Sequence, residues 1–359
     1  MENKPKKILI ASGGTGGHLY PSLVLAHYLK KNGAEIYLTL GINPNRKKLL
    51  TFPEDIKEIP YEIIPAAPLQ NIKSLIHNFN AFKISWKLLD TFHPQGVIGF
   101  GSYATFPMLL AAYLKGIPVV LHEQNLIPGI ANRIASIFAK KVAISFPDTG
   151  LYFSQKSVLV GNLVRSEMFQ RTNKNKEFIT LLVFGGSSGA KKLNELILDI
   201  VSDLEPYKNK IEIIHVTGSK QDAELIRMRL TNLGIKNSVV EYAQEISKCY
   251  QKADLVLCRS GASTITELIA TEIPAILIPY PHATSNHQFK NAMILSKLGA
   301  AIVLQEDIPD LKKQLTELLL GFFKDPLKLK KMKETYHSYP ISLKEAPQKL
   351  AELLYSQCL

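Results

Sequence analysis

The sequence predicts an α/β fold of two doubly wound, Rossmann-like domains that face a common cleft. Three observations support this. Short runs rich in Ile, Val and Leu alternate with segments of helical periodicity, as in parallel sheets joined by crossover helices. The length of 359 residues favours two domains over one. One apolar run in each half leads into a turn of glycine and hydroxyl residues that opens a helix, at residues 8–17 and 181–189.

Composition narrows the class of protein. Hydrophobic residues are 46% and charged residues 21%, which excludes disordered, collagenous and coiled-coil chains. The net charge of +12 favours an acidic partner. Nucleic acid, an anionic membrane surface and a phosphorylated substrate all fit this description. Three cysteines without a C-x-x-C pair argue against a disulfide framework and a zinc ribbon. We expect no export signal, and no membrane span in the uncharged run 96–114, which contains glycines and a proline.

The candidate strands form two series along the chain. The first comprises 7–11, 35–40, 61–65, 96–100, 118–122 and 141–145, and the second comprises 178–184, 211–216, 238–242, 254–258, 274–278 and 300–304. Apolar periodicity is lost over 155–176, so we place the N-terminal domain at 1–163 and the C-terminal domain at 164–340. Helices are expected at 311–323, 326–336 and 342–358. A break at Pro340 would let 341–359 pack back onto the first domain.

The first glycine turn, GGTGGH at 13–18, follows the first strand. Unhindered backbone N–H groups at a helix N-terminus favour a phosphate, although such glycines can also serve only a tight turn and close helix packing. The dinucleotide fingerprint fits poorly because Leu19 stands where a third small residue is needed. The turn of the second domain continues GAKK at 189–192, where an ATP-binding loop requires Gly-Lys-Ser/Thr. The sequence therefore disfavours both NAD and ATP.

Three further polar segments follow predicted strands. The first is HEQN at 122–125. The second is 258–267, whose small residues leave room for a diphosphate. Its Glu267 could accept hydrogen bonds from the two hydroxyls of a ribose. In the alternative interpretation, Ser263 or Thr264 only caps the helix and Glu267 completes a capping box. The third segment, 282–291, offers His and Gln side chains suited to sugar hydroxyls. No D-x-D occurs, so no metal is expected on the diphosphate.

Taken together, these motifs resemble the MurG family of bacterial UDP-GlcNAc transferases, which convert lipid I to lipid II in peptidoglycan synthesis. The matching motifs are GGTGGH at 13–18 with Pro21, HEQN at 122–125, Gly161-Asn162 with Arg165, GGS at 185–187 with Gly189-Ala190, RSGA at 259–262 with Thr264 and Glu267, and HQ at 287–288 with Asn291-Ala292. The resemblance implies a glycosyltransferase B fold and inverting transfer of GlcNAc to the 4-hydroxyl of MurNAc, without cofactor or metal. It also implies peripheral binding to the cytoplasmic face of the inner membrane.

The resemblance further implies partners and residue roles. The partners are UDP-GlcNAc, undecaprenyl-linked lipid I, an anionic membrane surface and other cell-wall enzymes, with no nucleic acid. The expected donor-binding residues are Thr15, Gly16, Gly17, Asn125, Arg165, Ser187, Ser188, Ala262, Ser263, Thr264, Glu267, His287 and Gln288. The acceptor diphosphate is assigned to Gly13, Gly14, Thr15, Gly16, Gly17 and His18. His18 is the expected general base, and Glu123 either orients His18 or serves in its place. The family commonly has Gln at position 188.

The segment 73–89 is a candidate for membrane docking. It carries Leu75, Phe79, Phe82 and Trp86 at helical spacing, with Lys73, Lys83 and Lys87 beside them. Aromatic residues next to lysines suit the interface of an anionic bilayer. The alternative is an ordinary crossover helix that buries the same stripe against its sheet.

Three other functions share these features. One is transfer of a sugar to a different glycolipid or small molecule on the same fold. Another is a UDP-GlcNAc epimerase, and the last is a UDP-binding protein without catalysis. A transferase for another acceptor would show a similar donor half and a divergent acceptor half.

Overall fold

The computed structural model describes residues 6–43, 54–68, 72–170, 178–186 and 190–358. The chain divides into two compact units, one of Met1–Arg165 with Ile341–Leu359 and one of Ser166–Pro340. Each unit contains a fully parallel sheet with crossover helices. The predicted α/β class with two doubly wound domains is therefore confirmed.

The first unit contains a seven-stranded sheet in the order β3-β2-β1-β4-β5-β6-β7. The strands are β1 Lys7–Gly13, β2 Glu35–Ile42, β3 Tyr61–Pro65, β4 Gly96–Gly99, β5 Val119–Glu123, β6 Lys141–Ile144 and β7 Ser157–Leu159. The helices are α1 Gly16–Lys31, α2 Ile72–Phe92, α3 Phe106–Leu114 and α4 Ile130–Ala135. In β1, Ile8 and Ile10 belong to one core cluster and Leu9 to another, so both faces of the sheet are covered. This double burial explains the uninterrupted apolar run in the sequence.

The second unit contains a six-stranded sheet in the order β10-β9-β8-β11-β12-β13. The strands are β8 Ile179–Phe184, β9 Ile211–Val216, β10 Lys236–Val240, β11 Leu255–Cys258, β12 Ala275–Leu277 and β13 Ala301–Val303. The helices are α5 Lys191–Ile200, α6 Lys220–Asn232, α7 Ile246–Lys252, α8 Ala262–Thr271, α9 His287–Leu298, α10 Leu311–Lys324 and α11 Leu327–Glu334. The last helix of the chain, α12 Ala346–Gln357, buries Leu350 and Leu354 in the core of the first unit.

Both sheets reverse their strand order beside their first strand. β1 lies between β2 and β4, and β8 lies between β9 and β11. Ligands of doubly wound folds bind beyond the carboxyl ends of the strands at this point. The glycine turn after β1 and the segment after β11 therefore begin at the ligand-binding edges of their sheets.

The edge strands β7 and β10 differ from the prediction, and the interior strands β1 and β2 end two residues later than predicted, at Gly13 and Ile42. β7 was not predicted because it has only three residues, none of them fully buried. β10 begins at Lys236, two residues before the predicted start, because an edge strand tolerates polar residues and only Val239 is buried there. Among the described residues, no helix is both long and apolar enough to cross a membrane.

Candidate functional site

In the first unit, His18 lies in the first turn of α1, directly after the glycine turn. Its imidazole packs against Gly13 and Gly101, and it leaves no room for a side chain at either position. A Cβ atom on Gly13 would lie 3.2 Å from Cδ2 of His18, and one on Gly101 would lie 3.3 Å from Cε1. Gly101 also has φ +86°, a left-handed conformation that favours glycine. The turns after β1 and β4 thus form the space that holds the ring.

A chain of hydrogen bonds connects His18 to the backbone of Gly161. His18 Nδ1 is 3.1 Å from Oε1 of Gln124, and Nε2 of Gln124 is 3.0 Å from Nδ1 of His122. Nε2 of His122 in turn is 3.1 Å from the carbonyl oxygen of Gly161. Gln124 and His122 are buried, whereas His18 is partly exposed. The side-chain partner of His18 is therefore Gln124.

Glu123 is bound to the loop that follows β5. Oε1 accepts from the backbone N–H of Asn125 at 2.9 Å and from its side-chain amide at 3.2 Å. Oε2 accepts from the side chain of Asn132 at 2.8 Å and from the backbone N–H of Gly129 at 3.2 Å. The expectation that Glu123 orients His18 is wrong, because its oxygens point to these four donors. Asn132 was missed, since nothing in the sequence connects position 132 with position 123.

Burial shifts the pKa values of these groups. It lowers the pKa of His18, and hydrogen bonds to Gln124 and to the backbone of Phe100 oppose the shift. Burial lowers the pKa of His122 to about 4, so this ring is neutral at pH 7. Burial raises the pKa of Glu123, while its hydrogen bonds to Asn125, Asn132 and Gly129 oppose that change. A neutral His18 can accept a proton at physiological pH.

In the second unit, α8 begins at Ala262 after Gly261, a residue that has no side chain to cap the helix. Ser263 and Thr264 lie inside the helix rather than at the capping position. Glu267 is too far from the N-terminus for a capping box, and its Oε2 instead accepts from the Tyr250 hydroxyl at 3.0 Å. The capping interpretation is therefore wrong. Within the described residues, the buried Oγ of Ser263 has no hydrogen-bond partner.

The segment between β11 and α8 is hydrogen-bonded to the start of α9 and to the segment that precedes α9. The Ser260 hydroxyl donates to the carbonyl oxygen of Gln288 at 2.8 Å, and the Asn291 side chain donates to the carbonyl oxygen of Ser260 at 3.3 Å. The Gln288 side chain accepts from the backbone N–H of Tyr280 at 3.0 Å. The buried guanidinium of Arg259 donates to the carbonyl of Ile278 at 3.0 Å. The two predicted donor segments of this unit are thus adjacent.

The start of α9 has an unusual backbone. Ser285 and Asn286 both have φ +54°, a left-handed conformation that is uncommon for residues other than glycine. His287 follows them, and its Nδ1 is 2.8 Å from the carbonyl oxygen of Thr284. That carbonyl can only accept, so Nδ1 carries a proton and a neutral His287 has its lone pair on Nε2. Non-glycine residues in this conformation are concentrated at functional sites.

The remaining predicted site residues are dispersed. Thr15 and Gly17 are exposed at the N-terminus of α1, with Gly16 between them. The Arg165 guanidinium lies 4.7 Å from the ring centre of Tyr20, which is on α1, so the structure places Arg165 in the first unit. Ser187 and Ser188 lie outside the described residues. Among the residues that are described, no group of acidic, His and Cys side chains could hold a metal ion.

The candidate membrane segment coincides with α2, and its apolar stripe is divided. Leu75 and Phe79 are each 58% exposed. Phe82 and Trp86 are half-buried, lie 5.6 Å apart between ring centres and pack on the core of the first unit. The Lys83 ammonium lies 4.5 Å from the ring centre of Phe79. Phe82 and Trp86 thus belong to the core, as the crossover-helix alternative expects, whereas docking through Leu75 and Phe79 stays a prediction. Lys87 is exposed, and the Lys73 side chain lies outside the described residues.

Helix α4 adds three exposed side chains whose exposure is not evident from the sequence. Ile130, Ile134 and Ile137, on α4 and just beyond its end, are 65%, 48% and 76% exposed. Ala135 of α4 and Ala81 of α2 belong to the same core cluster, so both helices lie on one face of the sheet. This face carries exposed apolar groups from both helices.

Comparison with known proteins gives matches in both halves of the chain. Residues 8–144 match the glycosyltransferase family 28 N-terminal domain, and residues 180–351 match the glycosyltransferase family 28 C-terminal domain. A protein of Protochlamydia amoebophila is 36% identical over 357 residues, which cover 93% of this chain and 92% of that protein. It is named UDP-N-acetylglucosamine–N-acetylmuramyl-(pentapeptide) pyrophosphoryl-undecaprenol N-acetylglucosamine transferase.

Two solved structures superpose on nearly the whole chain. The crystal structure of Acinetobacter baumannii MurG superposes with a TM-score of 0.76 at 26% identity, covering 98% of this chain and 100% of that one. A UDP-N-acetylglucosamine 2-epimerase superposes with a TM-score of 0.70 at 14% identity, covering 98% and 97% of the two chains. The second likeness shows a shared fold only.

Proposed function

Because the chain belongs to the MurG family of glycosyltransferases, in glycosyltransferase family 28, we propose that it transfers GlcNAc from UDP-GlcNAc to lipid I and produces lipid II. The observation that carries this proposal is that both halves match. The 36% identity to a named transferase extends over 93% of the chain. A transferase for another acceptor would share the donor half alone, and an epimerase is similar here only in fold.

The first unit provides the acceptor side of the reaction. The MurNAc 4-hydroxyl loses its proton to Nε2 of His18 while its oxygen attacks the anomeric carbon of GlcNAc. The bond from that carbon to the diphosphate breaks, and UDP leaves from the opposite face, so the anomeric configuration inverts. Glu123 is not the base, because its carboxylate already accepts from four donors.

The acceptor diphosphate binds at the N-terminus of α1. Thr15 and Gly17 are exposed there, and a helix N-terminus attracts an anion through its unpaired N–H groups and its dipole. Neither Gly16 nor Gly17 has a side chain that would keep a phosphate away from the backbone. The same turn holds His18, so anchoring the diphosphate also brings the rest of the acceptor to the base.

The second unit binds the donor. The diphosphate of UDP lies at the N-terminus of α8, where Gly261 leaves the backbone accessible and Ser263 has an unpaired hydroxyl. This helix stabilises the charge that develops on the departing UDP. The Tyr250 hydroxyl orients the Glu267 carboxylate, which accepts from the two ribose hydroxyls. Nε2 of His287 accepts from a GlcNAc hydroxyl, and Gln288 lies beside it.

The exposed face of α2 and α4 binds the membrane that contains the acceptor. Leu75, Phe79 and Ile137 enter the bilayer interface, and Lys83 and Lys87 lie close to anionic headgroups. The net charge of +12 favours the same surface. We infer peripheral attachment at the cytoplasmic face, where UDP-GlcNAc is available.

The experiment that tests the proposed function is release of UDP from UDP-GlcNAc with and without a short-chain lipid I analogue. We expect release to depend on the analogue. Conversion of UDP-GlcNAc to another UDP-sugar without the analogue would identify an epimerase instead. Binding of UDP-GlcNAc without any turnover in the complete mixture would identify a protein that binds UDP without catalysis.

A further inference from the structure

We propose that Gln124 is a positioning residue for the transfer: it holds His18 in the tautomer whose lone pair is on Nε2. The inference rests on the proposed function, because it refines the role of His18 as the base. It follows from the hydrogen bonds that join His18, Gln124, His122 and Gly161.

The proton positions follow from the far end of this chain. The carbonyl oxygen of Gly161 can only accept, so His122 Nε2, 3.1 Å away, carries a proton. In neutral His122 the lone pair is then on Nδ1. The Gln124 atom 3.0 Å from Nδ1 must therefore be the amide nitrogen, which donates. Burial keeps His122 neutral, as this step requires.

A second carbonyl gives the same orientation for the amide. The amide nitrogen of Gln124 also lies 3.1 Å from the backbone oxygen of His122, which likewise can only accept. The amide oxygen of Gln124 consequently faces His18, whose Nδ1 at 3.1 Å must donate to it. With its proton on Nδ1, a neutral His18 has its lone pair on Nε2.

The residues that fix this arrangement are themselves held in place. His122 and Gln124 are 0% and 1% exposed, so water does not compete for their hydrogen bonds. Gly161 has φ +91°, and a Cβ atom there would lie 3.1 Å from Cγ2 of Ile341. A larger residue at 161 would move the carbonyl that ends the chain. An incorrect tautomer costs a histidine base most of its activity, as in serine proteases.

The direct test is the nitrogen NMR spectrum of protein labelled with ¹⁵N-histidine, in which the two tautomers have different shifts. The signals of His18 are assigned by their loss in His18→Ala. We expect wild-type His18 to carry its proton on Nδ1 and His122 to carry its proton on Nε2. In Gln124→Met, which has a similar size but no amide, we expect His18 to show the Nε2–H form. Wild-type His18 in the Nε2–H form would overturn the proposal, whether or not Gln124→Met folds.

Kinetics separate positioning from simple structural support. For Gln124→Met we expect kcat to fall about 10- to 100-fold, within the 10²- to 10⁴-fold contribution of a general base, while KM for UDP-GlcNAc stays within about two-fold. Gln124→Glu still accepts from Nδ1 of His18 and should retain more activity than Gln124→Met.

The control is Ser22→Ala, which removes a buried hydroxyl bonded to the carbonyl of Leu19 in the same helix as His18. It should leave kcat unchanged. Equal losses in both Gln124 variants, with an unchanged His18 tautomer, would contradict the proposal.

The same set of proteins distinguishes this proposal from the proposed function. If His18→Ala is inactive while wild-type His18 has the Nε2–H tautomer, the positioning role and the choice of Nε2 as the accepting atom are wrong, and the role of His18 in the transfer stands. If His18→Ala keeps wild-type turnover, His18 is not the base and Gln124 has nothing to position. If the wild-type protein forms no product from lipid I analogue and UDP-GlcNAc, the proposed function itself is wrong.

Discussion

At the scale of single residues, Glu267 is the most direct test of donor recognition. Its carboxylate accepts from Tyr250, and we assign its contact with the ribose hydroxyls to the same group. Glu267→Ala should remove a charge-assisted contact worth about 1.5 to 3 kcal/mol and raise the donor KM by about ten-fold or more. Tyr250→Phe, which removes only the orienting hydroxyl, should raise it less. A donor KM that is unchanged in Glu267→Ala would refute the ribose assignment.

The role of His18 predicts both a rate and a pH dependence. His18→Ala should lower kcat by about 10²- to 10⁴-fold with little effect on donor binding. A base acts in its neutral form, and burial lowers the pKa of His18 from 6.5. The activity of the wild-type enzyme should therefore persist as the pH falls through 6.5, and decline only below it. The pH profile of kcat/KM checks this, and an acidic limb above pH 6.5 would contradict it.

The residue types at the site were predictable, but several of their contacts were not. The glycine turn with His18, and the segment that contains Glu123 and Gln124, follow predicted strands and were identified on that basis. That Gln124 rather than Glu123 contacts His18 depends on which way each side chain points at the end of β5. Asn132 and Tyr250 each bond a predicted site residue from another element, and their sequence positions give no sign of it.

At the scale of elements, the docking role of α2 can be separated from its role in the core. Leu75 and Phe79 are exposed, so replacing both with Ser should weaken binding to vesicles of anionic lipid with little change in thermal stability. The matched control is Phe82→Ala, which removes a half-buried ring from the core and should lower stability instead. Vesicle co-sedimentation and thermal unfolding measure the two effects. Unchanged binding in Leu75→Ser/Phe79→Ser would show that docking lies elsewhere.

The charges beside α2 give a second, independent test of docking. Each basic residue near an anionic surface contributes about 1 kcal/mol, so changing Lys73, Lys83 and Lys87 to Glu should strongly reduce binding to anionic vesicles. Binding of the wild-type protein should also weaken as salt is added. Equal binding to neutral and anionic vesicles would contradict an electrostatic contribution.

The interior strands were easier to detect in the sequence than the edge strands β7 and β10. The central strands are buried on both faces, and this produces the apolar runs seen in the sequence. β7 and β10 lie at sheet edges and bury few side chains, so their apolar pattern is weak. The capping role of Ser263 depended on where α8 begins, and a sequence locates a helix start only to within a few residues. The helix begins at Ala262, so Ser263 lies inside it.

At the scale of the whole molecule, each unit contains a buried neutral histidine that makes its stability depend on pH. Burial lowers the pKa of His122 in the first unit and of His215 in the second to about 4. The unfolded chain binds these protons near pH 6.5, so it gains protons before the folded units do as the pH falls. Stability is thus complete above about pH 6.5 and is lost progressively towards pH 4, by roughly 2 to 3 kcal/mol for each histidine.

Urea unfolding at pH 7 and pH 5 measures this loss. His215 bonds Asn194 at 2.9 Å, and His215→Gln removes the titrating group while keeping a side chain that can form a hydrogen bond. This variant should have a smaller difference between the two pH values than the wild-type protein. An equal free energy of unfolding at pH 7 and pH 5 in the wild-type protein would contradict the prediction.

The central claim is that this chain joins GlcNAc to lipid I by a single inverting displacement without a metal ion. The most direct measurement is the structure of the lipid product formed from UDP-GlcNAc and a short-chain lipid I analogue in the presence of EDTA, obtained by mass spectrometry and proton NMR. We expect an acceptor enlarged by one GlcNAc residue at the MurNAc 4-hydroxyl, in the anomeric configuration opposite to that of the donor. No product, a retained configuration, or product only after magnesium is added would contradict it.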